Sequence, residues 1–310
     1  MDMINNILNV VLPLIVFTTL LPVYPLYIVH KFLNFIKRLI SSEDVAGKVV
    51  LVTGAASGIG EQISYEYARR GARLALVDIR EDRLGKVAEK VRILGSPDVI
   101  TIRADVSKIE DCERFVDEAV KYFGQLDHLV NNAGTAVVLL FEEVKSLSDC
   151  SRVMDVNFWG TIYGTHFALP HLIKSKGKII VMASTLGWYP FPRAGFYNAS
   201  KAALISFYET LRCEIGSDNI GITIVMPGLI KSELTQSEAA LKAGAGGFVP
   251  MESAERCGRA IVKKACRGDK YVTEPSWIIS ALYPLKVLCP QLVEHCNHFL
   301  FVSNSKKKAA

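Results

Sequence analysis

From Gly47 onward, short apolar runs alternate with longer stretches in which apolar residues recur every three or four positions. The runs Val49–Thr53, Arg73–Val77, Val99–Arg103, His128–Asn131, Lys178–Ala183 and Ile222–Val225 predict strands. The amphipathic stretches near Gly60–Arg70, Asp82–Ile93, Asp111–Phe123, Cys150–Leu172, Tyr197–Ile215 and Ser253–Arg267 predict helices between them. Strands that are apolar throughout need both faces buried. That is how a parallel sheet behaves when helices cover both of its sides. The expected fold class is therefore α/β, a doubly wound parallel sheet in a single domain.

The first forty residues follow a different pattern. No charged side chain lies between Met3 and Val29, a run long enough to span a bilayer as a helix. It is not a signal peptide by pattern, because Asp2 stands where a basic cluster belongs and no small-residue cleavage site follows. Pro13, Pro22 and Pro25 each remove a backbone donor, which predicts a proline-broken anchor instead of a straight helix. Two forms are open: a kinked spanning helix, and a hairpin that bends at Leu21–Pro25 and leaves by the face it entered. Lys31, Lys37 and Arg38 follow at once and suit a cytosolic, anionic surface, so the domain that follows is expected to face the cytosol.

Composition narrows the function classes. Half of the 310 residues are hydrophobic, which suits one large domain plus a membrane segment. The net charge of +5 is modest, and no dense basic helix with interleaved aromatics occurs, so no nucleic-acid partner is expected. Seven cysteines, an odd number without tight pairs, read as thiols in a reducing compartment. Cys289, His295, Cys296 and His298 match no zinc spacing, and no metal is expected.

Three stretches carry the candidate chemistry. Thr53-Gly54-Ala55-Ala56-Ser57-Gly58-Ile59-Gly60 sits between a strand and a helix. Gly54 allows a tight turn, and Gly58 and Gly60 let backbone and helix approach a pyrophosphate held at the helix's positive end. Asp78 closes the second strand, where a carboxylate accepts from adenosine ribose hydroxyls and repels a 2′-phosphate. NAD is thereby favoured over NADP, although Arg80, two positions on, could recruit that phosphate. Ser184 ends the fifth strand, and Tyr197 and Lys201 stand one helical turn apart on one face. A nucleotide loop, a serine at a strand end and a Tyr/Lys pair, in that order, make a redox site.

These residues, together with Asn131-Asn132-Ala133-Gly134, Asn157 and Pro227-Gly228, resemble the short-chain dehydrogenase/reductases over roughly residues 47 to 275. The fold implied is Rossmann-type. The flanking stretches Val156-Asn157-Phe158-Trp159-Gly160 and Tyr271-Val272-Thr273-Glu274-Pro275-Ser276-Trp277, with the apolar N-terminus, resemble the plant 11-beta-hydroxysteroid dehydrogenase-like proteins, called steroleosins on oil bodies. The resemblance implies that Tyr197 is the general acid/base while hydride moves to or from nicotinamide C4. A phenol titrates near ~10 and needs a positive neighbour to act near neutral pH, a role for Lys201 and the oxidised nicotinamide. Lys201 would also hold the nicotinamide ribose, Ser184 would bind and orient the substrate oxygen, and Asn157 would hold a water in a proton relay. Ser57, Gly58 and Ile59 would meet the cofactor phosphates. Asp105 would accept from the adenine amine, Asn131, Ala133 and Gly134 would pass the ribose, and Pro227-Gly228 would lie beside the carboxamide. Ser232 stands where the family often has threonine. Asn131, Asn157, Asp105 and Ser184 each also have an ordinary structural use at a strand or helix end.

On the substrate side, Leu229 to Met251 carries Gly244, Gly246 and Gly247 and suggests a hinged lid. Trp188, Tyr189, Phe191 and Phe196 are candidates for an apolar wall, with ordinary packing as the other reading. The resemblance implies a lipophilic alcohol or ketone, a steroid or sterol, an endoplasmic-reticulum or lipid-droplet membrane, and a homodimer or tetramer. The expected division is an anchor over 1–40, a dehydrogenase domain over 41–275 and an apolar segment with a basic tail over 276–310. That last segment either touches lipid or docks on the domain. Lys307 and Lys308 near the end resemble a dilysine retrieval signal.

Overall fold

The computed structural model describes residues 2–40, 42–216, 219–237 and 250–303. The chain forms two compact units, Met1–Glu43 and Asp44–Ala310. The first is one helix, α1 (Asp2–Ile40), which runs through Pro13, Pro22 and Pro25. Of the two forms left open, the hairpin is therefore corrected: the chain does not turn back at Leu21–Pro25, and the helix with prolines inside it agrees with the other. Each proline removes one donor, but ending the helix would strand several more backbone groups in an apolar stretch, which costs more. The Thr18 and Thr19 hydroxyls are satisfied within the same helix, donating to Leu14 O at 2.8 Å and Ile15 O at 2.8 Å. The span Asp2–Leu33 has a mean hydropathy of 2.1 in its most apolar window, long and apolar enough to cross a bilayer.

The second unit is built on a sheet of seven parallel strands. In chain order, β1 (Val49–Thr53), β2 (Arg73–Asp78), β3 (Val99–Arg103), β4 (His128–Asn131), β5 (Lys178–Met182), β6 (Gly221–Pro227) and β9 (Tyr271–Glu274) pair in the order β3-β2-β1-β4-β5-β6-β9. A small second sheet pairs β7 (Ile230–Lys231) with β8 (Glu252–Ser253). Alternation along β1 shows why both faces must be covered. Val50 and Val52 enter one core with Ile63, Leu84, Val87 and Ile261, whereas Val49 and Leu51 enter another with Phe115, Leu172, Leu204 and Tyr208. The first core is closed by α2 (Gly58–Arg69), α3 (Glu81–Ile93) and α8 (Ala254–Cys266), the second by α4 (Ile109–Phe123), α6 (Gly160–Ser175) and α7 (Gly195–Ile215). Each fully buried leucine or valine in these layers contributes about 1.5–3 kcal/mol.

The order of the sheet reverses direction at β1, with β2 on one side and β4 on the other. Connections from β1 and β4 therefore leave to opposite sides, and a crevice opens beyond the carboxyl ends of the strands. Two differences from the predicted elements matter there. The stretch expected as one helix over Cys150–Leu172 is α5 (Leu147–Met154), a π-helical turn at Asp155–Trp159, and α6. The last segment forms α9 (Trp277–Leu288) and α10 (Pro290–His298), which dock on the rest of the second unit: Tyr283 meets Trp188 edge-on at 5.1 Å, and Lys286 donates to the Trp188 carbonyl. Leu288 and Phe299 on this segment remain exposed. The middle of the expected lid and the Lys307-Lys308 tail lie outside the described residues.

Candidate active site

The glycine loop is shaped by two left-handed residues, Gly54 at φ +65° and Gly58 at φ +60°, where a side chain would strain the backbone. Gly60 has another task. A Cβ there would stand 2.2 Å from the Gly54 carbonyl and 2.4 Å from the Asn132 amide, so only glycine lets α2 pack onto the loop. Ser57 precedes the first turn of α2 without capping it, and its hydroxyl instead accepts from Arg80 Nη2 at 2.9 Å. The positive end of α2 thus opens on the crevice, which suits an anion.

Asp78 is buried at the end of β2, and its carboxylate is heavily bonded. Oδ2 accepts from Ala56 N at 3.0 Å and Arg80 Nη2 at 3.3 Å, and Oδ1 accepts from Arg80 N at 3.0 Å and Arg80 Nε at 3.1 Å. Arg80, expected as a group that could recruit a 2′-phosphate, is pinned across this end of the crevice. Asp78 and then Glu233 hold its guanidinium above the ordinary arginine range, against the opposing effect of burial.

At the other end, Ser184 follows β5 and starts a short turn at Thr185–Gly187. Its Oγ accepts from Leu186 N at 3.1 Å. That turn packs against α7 only because residue 187 is glycine: a Cβ would lie 2.9 Å from Lys201 C. Tyr197 and Lys201 project from the first turns of α7, with the Lys201 ammonium 5.5 Å from the Tyr197 ring centre. Lys201 Nζ donates to Met182 O at 2.7 Å, and burial pulls its pKa down to about 8. Burial raises the Tyr197 phenol above its ordinary value, while a hydrogen bond with the Ser184 hydroxyl acts the other way.

A cavity of about 740 Å³ joins the two ends, within the usual range of ligand pockets. Its walls include Gly54, Ser57, Gly58, Ile59, Asp78 and Asp105 toward one end, and Ala133, Gly134, Ser184, Tyr197, Lys201, Pro227 and Gly228 toward the other. Gly60, Asn131 and Asn157 are not on this lining. Asn131 points between α6 and α7, where its amide donates to Thr165 Oγ1 at 2.8 Å and Thr161 O at 3.3 Å. Its neighbour Asn132, on the other side of the strand by alternation, takes the position near the loop and donates to Thr53 O at 3.0 Å and Gly54 O at 3.1 Å. The sequence reading missed Asn132 as a site residue, although it stands in the same motif.

Asn157 sits in the π-helical turn and braces the site from behind. Its Oδ1 accepts from Thr135 N at 2.8 Å, and its Nδ2 donates to Thr135 O at 2.9 Å and Ser200 Oγ at 3.0 Å. Asp105 both lines the cavity and ties its own turn, accepting from Ser107 N at 3.1 Å and Ser107 Oγ at 2.7 Å. Of the four aromatic residues read as either an apolar wall or ordinary packing, three pack against separate partners. Trp188 donates to Met226 Sδ at 3.0 Å, Phe191 meets Phe301 at 4.3 Å, and Phe196 meets Phe141 at 6.3 Å.

A family model described as short chain dehydrogenase matches residues 48–242, which hold the loop, the serine and the Tyr/Lys pair. The chain belongs to the short-chain dehydrogenases. This family member is also 51% identical to the 11-beta-hydroxysteroid dehydrogenase-like 4A protein of Arabidopsis thaliana, over 94% of this chain and 98% of that one. It is 49% identical to the 11-beta-hydroxysteroid dehydrogenase A of Arachis hypogaea, over 98% and 89%. Among solved structures, a short chain dehydrogenase/reductase from Burkholderia phymatum in complex with NAD aligns with a TM-score of 0.72 at 26% identity, covering 80% of this chain and 96% of that one. An alcohol dehydrogenase from Thermococcus sibiricus complexed with 5-hydroxy-NADP aligns with a TM-score of 0.64 at 26% identity, covering 73% and 94%. This dehydrogenase is an NAD(P)-dependent oxidoreductase with hydroxysteroid dehydrogenase-like relatives.

Proposed function

We propose that the protein interconverts a hydroxyl and a ketone on a lipophilic substrate, a steroid or sterol, at the surface of an endoplasmic-reticulum or lipid-droplet membrane. The observation that carries the chemistry is the grouping of the Ser184 hydroxyl, the Tyr197 phenol and the buried Lys201 ammonium on one cavity shared with a glycine loop. The residues fit a dinucleotide: Gly54 and Gly58 leave room for backbone approach, and the α2 N-terminus suits its phosphates. When bound, that cofactor supplies or accepts the hydride.

The chain's own residues handle the proton. Ser184 holds and orients the substrate oxygen. Tyr197, kept protonated through the neutral range by burial, donates to a carbonyl oxygen during reduction and accepts from an alcohol during oxidation. A charged Lys201 favours the phenolate form and so lowers the cost of that transfer. Asn157 serves as a positioning residue, because it ties Ser200 on α7 to the Thr135 backbone. Asp105 would meet the adenine, and Pro227-Gly228 the carboxamide.

NAD is the favoured cofactor in this reading. Asp78 and Glu233 place two carboxylates around the adenosine end, and these offset the charge of Arg80 and Arg83. Membrane attachment is supported by α1, and a cytosolic catalytic unit by Lys37 and Arg38, which follow the span, and by Lys31 near its end. The names of the relatives in Arabidopsis and Arachis support a steroid-like substrate. The test is turnover of a panel of hydroxysteroids and ketosteroids followed by NADH and NADPH fluorescence. Saturable turnover of at least one pair is expected. Dinucleotide binding without turnover of any lipophilic alcohol or ketone would contradict the proposal.

A further inference from the structure

The adenosine end of the cavity carries a charge arrangement that the reaction does not use. Glu233 lies 153 residues from Arg80 in sequence, yet its Oε2 accepts from Arg80 Nη1 at 2.8 Å, and its Oε1 pairs with Arg83 Nη1. Two guanidinium groups thus share one carboxylate at the rim of the cavity, and Glu233 and Arg80 both line it.

The contact is exposed, yet Arg80 and the turn that carries Glu233 are each held by further bonds. Arg80 is fixed from behind by Asp78 and by Ser57 Oγ on the glycine loop. Glu233 is presented by a turn with its own bonds: Thr235 Oγ1 donates to Ile230 O at 2.6 Å, Ser232 N donates to Thr235 Oγ1 at 3.1 Å, and Gln236 N donates to Ser232 O at 2.9 Å. The turn stands directly against the loop, because a Cβ on Gly58 would lie 3.4 Å from Ser232 Cβ.

Two arginines facing one point form a site for a phosphate monoester, which carries about −1.5 to −2 charges at neutral pH. Glu233 already holds that point with one negative charge. We infer that Glu233 is a specificity-determining residue, whose carboxylate occupies the place between Arg80 and Arg83 that a 2′-phosphate would take. NADP must displace it, whereas NAD binds with the pair intact. This rests on the crevice being the dinucleotide site proposed above. It adds a second selector, far from Asp78 in sequence and opposite in consequence to the two arginines.

The test is Glu233→Gln in the full chain, which keeps the size of the side chain and removes its charge. Dissociation constants for NADH and NADPH are read from fluorescence on binding, with 5′-AMP and 2′,5′-ADP as competitors that differ by the 2′-phosphate. The ratio of the NADPH constant to the NADH constant should fall about tenfold in E233Q, and 2′,5′-ADP should gain over 5′-AMP by a similar factor. The gain should shrink at high salt, because the groups are partly exposed, and adding Arg80→Gln should abolish it. A ratio that moves less than about twofold, or an equal change for both dinucleotides as a distorted turn would give, overturns the inference. Wild-type protein that binds NADH tightly while E233Q leaves the ratio fixed refutes the role of Glu233 and leaves the dinucleotide site standing. Wild-type protein that binds neither dinucleotide refutes both.

Discussion

Lys201 combines two conditions that rarely coexist: a buried ammonium and, among the described residues, a single carbonyl, Met182 O, to hold it. Burial brings its pKa to about 8, so the charge that helps Tyr197 is present below that pH and lost above it. Reductive kcat/KM should therefore fall as pH rises through about 8. Lys201→Arg cannot lose its proton in this range, so its rate should be lower in amplitude but lack that alkaline limb. An unchanged limb in the variant would assign the titration to another group. At the other end of the cavity, Asp78→Ala leaves Ala56 N–H without its acceptor and removes one of the two carboxylates that neutralise Arg80. NADH affinity should drop about tenfold while NADPH affinity rises, as measured by titration. Most of these residues were legible in the sequence because Ser184, Tyr197, Lys201 and the glycine loop keep local spacings that the chemistry requires. Asn131 was not, since which side of β4 it faces depends on the strand's register in the sheet. The pairing of Arg80 with Glu233 was not, because it joins residues 153 positions apart.

The elements were read with similar limits. Six strands followed from apolar runs, but β9 (Tyr271–Glu274) escaped, because a four-residue edge strand with threonine and glutamate carries little periodic signal. The π-helical turn at Asp155–Trp159 is set by tertiary bonds from Asn157 to Thr135 and Ser200, which no local pattern announces. The glycine loop was readable as a loop, but the reason for Gly60 emerges only from its contact with Gly54 and Asn132. Gly60→Ala should cost about 1–3 kcal/mol in urea unfolding and weaken dinucleotide binding. Gly85→Ala on α3, where a Cβ meets nothing within 4 Å, should be neutral or stabilise by up to about 1 kcal/mol. Equal effects at the two positions would contradict the packing described for α2.

At the scale of the molecule, α1 is a continuous apolar helix despite three prolines, and the catalytic unit from Asp44 onward has its own two-layered core. Apolar length was legible in the sequence. The choice between hairpin and continuous helix was not, because a proline's local penalty is outweighed by the backbone bonds that the rest of the helix retains. The full chain should stay with membranes after a carbonate wash, and a chain lacking residues 2–40 should be released from them. Retention of the shortened chain would move the attachment to another surface. The most direct test of the central claim is single-turnover kinetics of Tyr197→Phe with a bound nicotinamide dinucleotide and an accepted ketosteroid. Loss of the phenolic proton should slow the chemical step by at least about 100-fold while the dinucleotide constant changes less than about threefold. A chemical step as fast as that of the wild type would contradict the assignment of proton transfer to this residue.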